Sequence, residues 1–175
     1  KPRGIFTEDG TTFYFTEWNA VANKIAQFTP QYTFTEWTLP TTGGSPIGIA
    51  VSGTVPNVWF TESGIGRIGR LNPSTNKITE WPIPTASSQP RGIAVSGGKV
   101  WFTEYDDNSK IGRLDPSTNR FTEWSLPYHS CPVAITVYGG KVWFTEYYGN
   151  RIGCLDPSTN KLTQWAVPSD VGYPY

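Results

Sequence analysis

Four glutamates end a Phe-Thr-Glu segment that recurs along the chain. A carboxylate at a recurring position could contribute to a ring of oxygen ligands for a cation or a polar molecule. It could equally cap loop amides, or pair with a nearby arginine or lysine, in every copy alike. Because a catalytic site breaks the symmetry of a repeat, its presence in all copies favours the structural role. The glutamates are Glu17, Glu62, Glu104 and Glu146.

Aromatic and basic residues form a second candidate set around these glutamates. Rings at or just after the glutamate could stack on a sugar or another planar ligand, or could pack between neighbouring loops; they are Trp18, Tyr105, Tyr147 and Tyr148. A guanidinium that follows a proline could bind a carboxylate or phosphate through two parallel hydrogen bonds. An ion pair with the glutamates is the alternative that we favour for these guanidinium groups, which belong to Arg3 and Arg91.

The glutamates and the aromatic and basic residues around them all belong to a repeat of about 42 residues. The segment Val-Trp-Phe-Thr-Glu begins at Val58, Val100 and Val142, and a variant of it begins at Phe13. A proline leads each copy, at Pro2, Pro46, Pro90, Pro132 and Pro174. A period of this length is typical of stacked modules, so a ligand surface would be built jointly by several repeats.

The third repeat predicts four short antiparallel strands, over 92–96, 99–104, 110–114 and 120–126. Gly97-Gly98 indicates a tight hairpin, and Asp115-Pro116 indicates a turn rather than a site. Apolar residues on both faces of 99–104 predict that both faces are buried. Gly112 and Gly153, in third strands, predict the close approach of an aromatic ring from a neighbouring blade. Four strands per repeat are typical of a β-propeller blade.

The predicted fold is therefore an all-β propeller of about four blades, in one partial domain. The blades span approximately 2–40, 46–84, 90–127 and 132–168, and 169–175 begins a fifth repeat. Four blades leave unprotected edges, which propellers avoid by closing the ring. We expect the same chain to continue into a larger ring, which would protect these edges. The second alternative is an eight-bladed ring formed by a homodimer, and the third is a ring closed by four blades alone.

The composition excludes several classes of protein. The formal net charge is +0, from 14 basic and 14 acidic residues, which argues against a nucleic-acid partner. No apolar run has the length of a membrane span. The absence of methionine indicates a processed product or part of a longer one and agrees with secretion. Cys131 and Cys154 lack a metal-ligand spacing and lie two predicted strands apart, so we interpret them as free thiols.

The combination of Gly-Ile-Ala, Trp-Phe-Thr-Glu, Ile-Gly-Arg-Leu and Thr-Glu-Trp resembles the repeat of the virginiamycin B lyase (streptogramin B lyase) family, over all four copies. The resemblance implies a seven-bladed propeller and a magnesium-dependent β-elimination that linearises a cyclic depsipeptide antibiotic at an ester. It also implies catalytic histidines directly after the leading prolines of late blades. The matching positions hold no histidine: they are Arg3, Ile47, Arg91, Val133 and Tyr175.

The remaining polar residues offer no catalytic constellation. The single histidine, His129, lies in a connecting loop, and the acidic loop Asp106-Asp107-Asn108 lacks the ligand count of a calcium loop. The basic residues of the third strands are expected to cover aromatic surface with their stems; they are Arg67, Arg70, Lys110, Arg113 and Arg151.

The predicted function is an extracellular, non-catalytic binding or structural module without a cofactor or metal. Its partner would be a protein, a carbohydrate or a small molecule, bound at the loop face of the propeller. The alternative is a truncated lyase that uses Mg²⁺ to cleave a carbon–oxygen bond.

Overall fold

The computed structural model describes residues 1–7, 9–18, 23–53, 56–168 and 174. These residues form sixteen short strands, in the order β1 (Pro2–Thr7), β2 (Phe13–Glu17), β3 (Lys24–Phe28), β4 (Phe34–Thr38), β5 (Pro46–Ser52), β6 (Asn57–Glu62), β7 (Arg67–Asn72), β8 (Lys77–Pro82), β9 (Pro90–Ser96), β10 (Lys99–Glu104), β11 (Lys110–Asp115), β12 (Arg120–Ser125), β13 (Pro132–Tyr138), β14 (Lys141–Glu146), β15 (Arg151–Asp156) and β16 (Lys161–Ala166). The predicted start of a fifth repeat at 169–175 lies outside the described residues, apart from Pro174.

Each repeat folds into one four-stranded sheet, which confirms the predicted blade. The sheets are β1–β4, β5–β8, β9–β12 and β13–β16, with neighbouring strands paired in chain order. The pairings are antiparallel, as in β11 with β12, where Gly112 faces Glu123. The chain divides into two compact units, Lys1–Pro90 and Arg91–Tyr175, each holding two blades.

Local turn chemistry determines where the hairpins fall. Gly97 and Gly98 adopt φ values of 57° and 70°, the left-handed backbone that a two-residue hairpin turn requires. The predicted turn after β11 is also present, because the Oδ1 atom of Asp115 accepts the Ser117 N–H at 3.0 Å. Asn119 ends that turn at a φ of 55°.

The leading strands begin earlier than the sequence predicts. The third begins at Pro90, two residues before the predicted start. In the fourth blade β13 pairs with β14 at both Pro132 and Ile135, and the register shifts between these two residues. The strand pairing therefore extends across an irregularity as far as the leading proline. Proline is tolerated there because the first residue of a strand need not donate to the ladder.

The glycines of the third strands face an aromatic ring of their own blade. A Cβ atom on Gly112 would lie 2.1 Å from the Phe102 ring, and Phe102 is its cross-strand partner in β10. Gly153 has the same relation to Phe144. The prediction of a ring from a neighbouring blade is therefore wrong, since the glycine instead makes room for the phenylalanine on the adjacent strand.

The threonine of the Phe-Thr-Glu segment joins one blade to the next. In the second unit, the Thr103 hydroxyl accepts the Gly92 N–H at 2.8 Å and donates to the Val133 carbonyl of the following blade at 3.1 Å. In the first unit, Thr16 bridges in the same way to the Ile47 carbonyl. Thr103 is completely buried, and its bond to the following blade lies away from water.

Apolar clusters between the blades supply the core of each unit. One is centred on Phe60, Ile25 and Leu71, and the other on Phe144, Ile111 and Leu155. Val100, Trp101 and Phe102 are all buried, which confirms that both faces of β10 are covered. Among the described residues no helix has the length and apolarity needed to cross a membrane.

Candidate functional site

The structure places three of the four recurring glutamates in the protein interior. Glu62, Glu104 and Glu146 have no exposed surface, and Glu17 is half-buried. Each ends the second strand of its blade and faces the first basic residue of the third strand, as Glu62 faces Arg67. A carboxylate in this position is shielded from any ligand at the loop surface.

The surroundings of Glu62 keep its carboxyl group protonated. Arg67 pairs instead with Glu80, at 2.8 Å, and that carboxylate also accepts the Thr41 hydroxyl. Burial and, secondarily, the charge of Glu80 raise the pKa of Glu62 to about 8, while Arg67 opposes them. In the described part of the chain neither carboxyl oxygen of Glu62 has a hydrogen-bond partner. A neutral buried acid of this kind is a poor ligand for a cation.

Glu146 differs from Glu62 in its contacts. Its Oε1 atom accepts a hydrogen bond from the Gln164 amide at 2.6 Å. The corresponding residues of the two preceding blades, Glu80 and Glu123, are instead acids that pair with Arg67 and Lys110. The role of the glutamates as a ligand-binding arc stays a prediction, and Glu62, Glu104 and Glu146 give it no accessible oxygen.

The two arginines that follow a leading proline lie over aromatic rings. The Arg3 guanidinium lies 4.9 Å from the centre of the Trp18 ring, and the Arg91 guanidinium lies 3.3 Å from that of Tyr105. Such contacts are attractive because the ring face is electron-rich. Burial raises the pKa of Tyr105 to about 12, although the Arg91 charge opposes the shift.

Tyrosines extend the Arg91 contact into a larger surface. The Tyr105 and Tyr148 rings lie 6.4 Å apart, and the Tyr147 and Tyr148 rings lie 4.9 Å apart in an edge-to-face arrangement. Tyr148 is 58% exposed. We refer to Arg91, Tyr105, Tyr147 and Tyr148 as the tyrosine patch. The patch has the aromatic faces and polar groups that suit a planar or sugar-like ligand.

The basic residues of the third strands have two roles. Arg113 lies 5.4 Å from the centres of both the Trp101 and Trp124 rings, and Arg70 makes the same contact with its own pair of tryptophans. These two residues therefore lie over aromatic surface, and the contact that the structure shows is made by the guanidinium group. Lys110, by contrast, forms an ion pair with Glu123 at 2.9 Å.

A cluster that the sequence analysis did not assemble lies on the loops of the second unit. Ligand atoms of Asp107, His129 and Cys131 all lie within 4.8 Å of one another. His129 Nδ1 is 3.3 Å from Asp107 Oδ1, and both side chains are exposed, whereas Cys131 is buried. Burial raises the pKa of the Cys131 thiol, and its neighbour Ser109 opposes the shift. Neither cysteine forms a disulfide.

A usable signal for this cluster was present in the sequence. Asp107 follows the second strand of a blade, and His129 and Cys131 precede the next blade. The loop after the second strand of a blade and the loop before the next blade meet at the same end of a propeller. The three residues could therefore have been grouped from the sequence by considering these two loops together.

The magnesium implied by the family resemblance does not fit the described residues. Mg²⁺ requires converging oxygen ligands in a nearly octahedral arrangement. The positions after the leading prolines carry Arg3, Ile47, Arg91 and Val133. The one group of three His, Cys, Asp or Glu ligands found in the described structure contains a thiol, which is a soft donor that magnesium does not favour.

Comparisons with known proteins give one consistent family. The virginiamycin B lyase family matches residues 1–175. Comparison with curated proteins finds no match. The solved structures similar to this chain include a streptogramin B lyase, with 31% identity and a TM-score of 0.90, covering 99% of this chain and 57% of that one.

Two similar structures come from Staphylococcus aureus. Selenomethionine-substituted virginiamycin B lyase has 34% identity and a TM-score of 0.88, covering 100% of this chain and 58% of that one. A catalytically inactive histidine-to-alanine variant of the lyase, with quinupristin, has 36% identity and a TM-score of 0.88, covering 99% of this chain and 58% of that one. This chain thus spans somewhat more than half the length of these lyases, and it belongs to the virginiamycin B lyase family.

Proposed function

We propose that this chain is a non-catalytic, extracellular binding module of the virginiamycin B lyase family. The tyrosine patch is the observation that carries the proposal. It combines the exposed ring of Tyr148 with the Arg91 guanidinium that lies over Tyr105. A ligand with a planar ring or a sugar face would stack on the tyrosines, and its polar groups would meet the tyrosine hydroxyls.

Neither the recurring glutamates nor the residues after the leading prolines supply a base for catalysis near the patch. An elimination needs a base that takes a proton from the substrate at a pH near neutrality. The nearest recurring acids, Glu104 and Glu146, are completely buried. The residues after the leading prolines of this unit are Arg91 and Val133. Neither an arginine, which stays protonated, nor a valine can accept that proton.

Binding to the patch is testable with two probes, quinupristin and the neutral oligosaccharide cellotetraose. Intrinsic fluorescence and calorimetry of the wild-type protein would be compared with those of Tyr148→Ala. Tyr138→Ala is the matched control, because Tyr138 is 81% exposed and lies outside the patch. Loss of one stacking ring is expected to weaken binding about fivefold, from roughly 1 kcal/mol of aromatic interaction. The proposal is overturned if neither probe binds the wild-type protein. It is also overturned if Tyr148→Ala and Tyr138→Ala bind the probes with equal affinity.

A lyase is the second candidate function, and one contact favours it. The exposed imidazole of His129 lies 3.3 Å from the Asp107 carboxylate, an arrangement that orients a histidine as a general base. The candidate predicts that quinupristin is converted in the presence of Mg²⁺ and that His129→Asn abolishes conversion. Elimination within a ring leaves the mass unchanged, so the product is detected by chromatography. Conversion that survives in His129→Asn would assign the base elsewhere.

A further inference from the structure

The Asp107, His129 and Cys131 cluster has the chemistry of a transition-metal site. A thiolate, an imidazole and a carboxylate are the three ligand types that zinc takes in proteins. Their ligand atoms lie within 4.8 Å of one another. Three protein ligands leave a fourth position for water or an exogenous ligand, which is the composition of an open zinc site.

Hydrogen bonds hold the two loops of the cluster together before any metal binds. The Cys131 N–H donates to Ser109 Oγ at 2.8 Å, and the His129 N–H donates to the Asp107 carbonyl at 3.4 Å. Ser109 is tied in turn to the Asp106 carbonyl at 2.9 Å. The backbone of all three candidate ligands is therefore set by contacts within the second unit.

The same turn in other blades carries no such ligands. His129 and Cys131 adopt φ values of 60° and 47°, and the equivalent residues Ser87 and Gln89 adopt 56° and 44°. The backbone shape is thus a property of the repeat, whereas the histidine and cysteine are particular to this copy. The cluster breaks the symmetry of the repeat, which the buried glutamates do not.

The loop that supplies Asp107 also departs from the repeat. Five residues separate β10 from β11, where four separate β6 from β7 and β14 from β15. The longer loop carries two adjacent acids, Asp106 and Asp107. One oxygen of Asp106 is buried without a hydrogen-bond partner among the described residues. A bound cation would compensate this concentration of negative charge.

The geometry needs only a small closure to bind a metal. Tetrahedral zinc with bonds of about 2.0–2.3 Å separates its ligand atoms by roughly 3.3–3.6 Å. The Asp107 and His129 side chains, which are 66% and 55% exposed, can rotate through the remaining ångström or so, while the buried Cys131 stays in place. We propose that Asp107, His129 and Cys131 bind one Zn²⁺ ion through carboxylate, imidazole and thiolate, with an open coordination position.

Cobalt(II) tests the site directly, because zinc is spectroscopically silent and cobalt takes the same ligands. Titration of the purified chain is expected to produce a thiolate-to-cobalt charge-transfer band. Cys131→Ser should abolish the band, and Cys154→Ser should retain it. Cys154 is the matched control because it is also a buried thiol without a disulfide. Zinc affinity, measured by competition with a chromophoric chelator, should fall at least about tenfold in Asp107→Asn and in His129→Gln.

Each possible result decides the proposal. No band in the wild-type protein, a band that survives in Cys131→Ser, or unchanged zinc affinity in Asp107→Asn overturns it. If Cys131→Ser does not fold, the other two variants decide, because their exposed side chains can be replaced without disturbing the core. The metal titrations do not depend on the binding of quinupristin or cellotetraose. The zinc site and the proposed function are therefore tested separately.

Discussion

Replacing Thr103 with valine removes the hydrogen bonds that join the third blade to the fourth while nearly preserving side-chain shape. Removal of the completely buried Thr103 hydroxyl takes away the partner of the Gly92 N–H, in a partly buried bond, and that of the Val133 carbonyl, in a buried one. An unsatisfied buried group costs about 1–3 kcal/mol, so Thr103→Val should lower the free energy of unfolding by about 2–4 kcal/mol.

Thr145→Val is the matched control within the same unit. Thr145 accepts the equivalent bond from the Ala134 N–H at 3.1 Å, is half-buried, and makes no bridge to a further blade among the described residues. Its replacement should cost about 1 kcal/mol.

Urea unfolding followed by circular dichroism measures both changes as shifts of the midpoint at a constant slope. A difference of less than about 0.5 kcal/mol between the two variants would show that the threonine bridge does not stabilise the blade interface.

Three further variants test the packing and electrostatics of the blades. Because the pKa of Glu62 is raised from 4.5 to about 8, the folded chain keeps a proton that the unfolded chain releases, so stability from this group is complete below about pH 4.5 and is lost as the pH rises towards 8. Glu62→Gln should remove that slope in denaturant unfolding at several pH values, and an unchanged slope would contradict the assignment. Cys154→Arg should place a guanidinium over the stacked Trp143 and Trp165 rings, as in the sister blades, and raise the free energy of unfolding by about 0.5–1 kcal/mol; a lower midpoint in urea would show that the fourth blade does not accept the contact. Gly112→Ala should destabilise the chain by about 1–3 kcal/mol because its Cβ would lie 2.1 Å from the Phe102 ring. A wild-type melting temperature in Gly112→Ala would mean that the ring moves aside freely.

Much of the fold could be predicted because its signals are local. Turn residues such as Gly97 and Asp115 act within a few positions of themselves, and strand alternation is read within six residues. The repeat then multiplies each signal, so an error in one copy is corrected by the next. The sequence did not identify Phe102 as the ring that faces Gly112. A glycine indicates that another group approaches closely, but it does not indicate the strand to which that group belongs.

The candidate site was less predictable because it depends on contacts between distant residues. Cys131 lies 24 residues after Asp107, and only the meeting of two irregular loops brings them together. The burial of Glu62 could not be read either, since a polar residue at a strand end is exposed in most proteins. Its neighbour Arg67 pairs with Glu80, and that choice of partner is set by tertiary geometry alone.

Incubating quinupristin with a stoichiometric amount of the chain and Mg²⁺, and then separating the mixture by chromatography, distinguishes binding without catalysis from lyase activity. If the chain binds without catalysis, the antibiotic elutes unchanged while quenching of fluorescence in the same sample reports its binding. Appearance of the linearised isomer, absent from a sample without the protein, would establish the chain as a lyase and rule out the non-catalytic role.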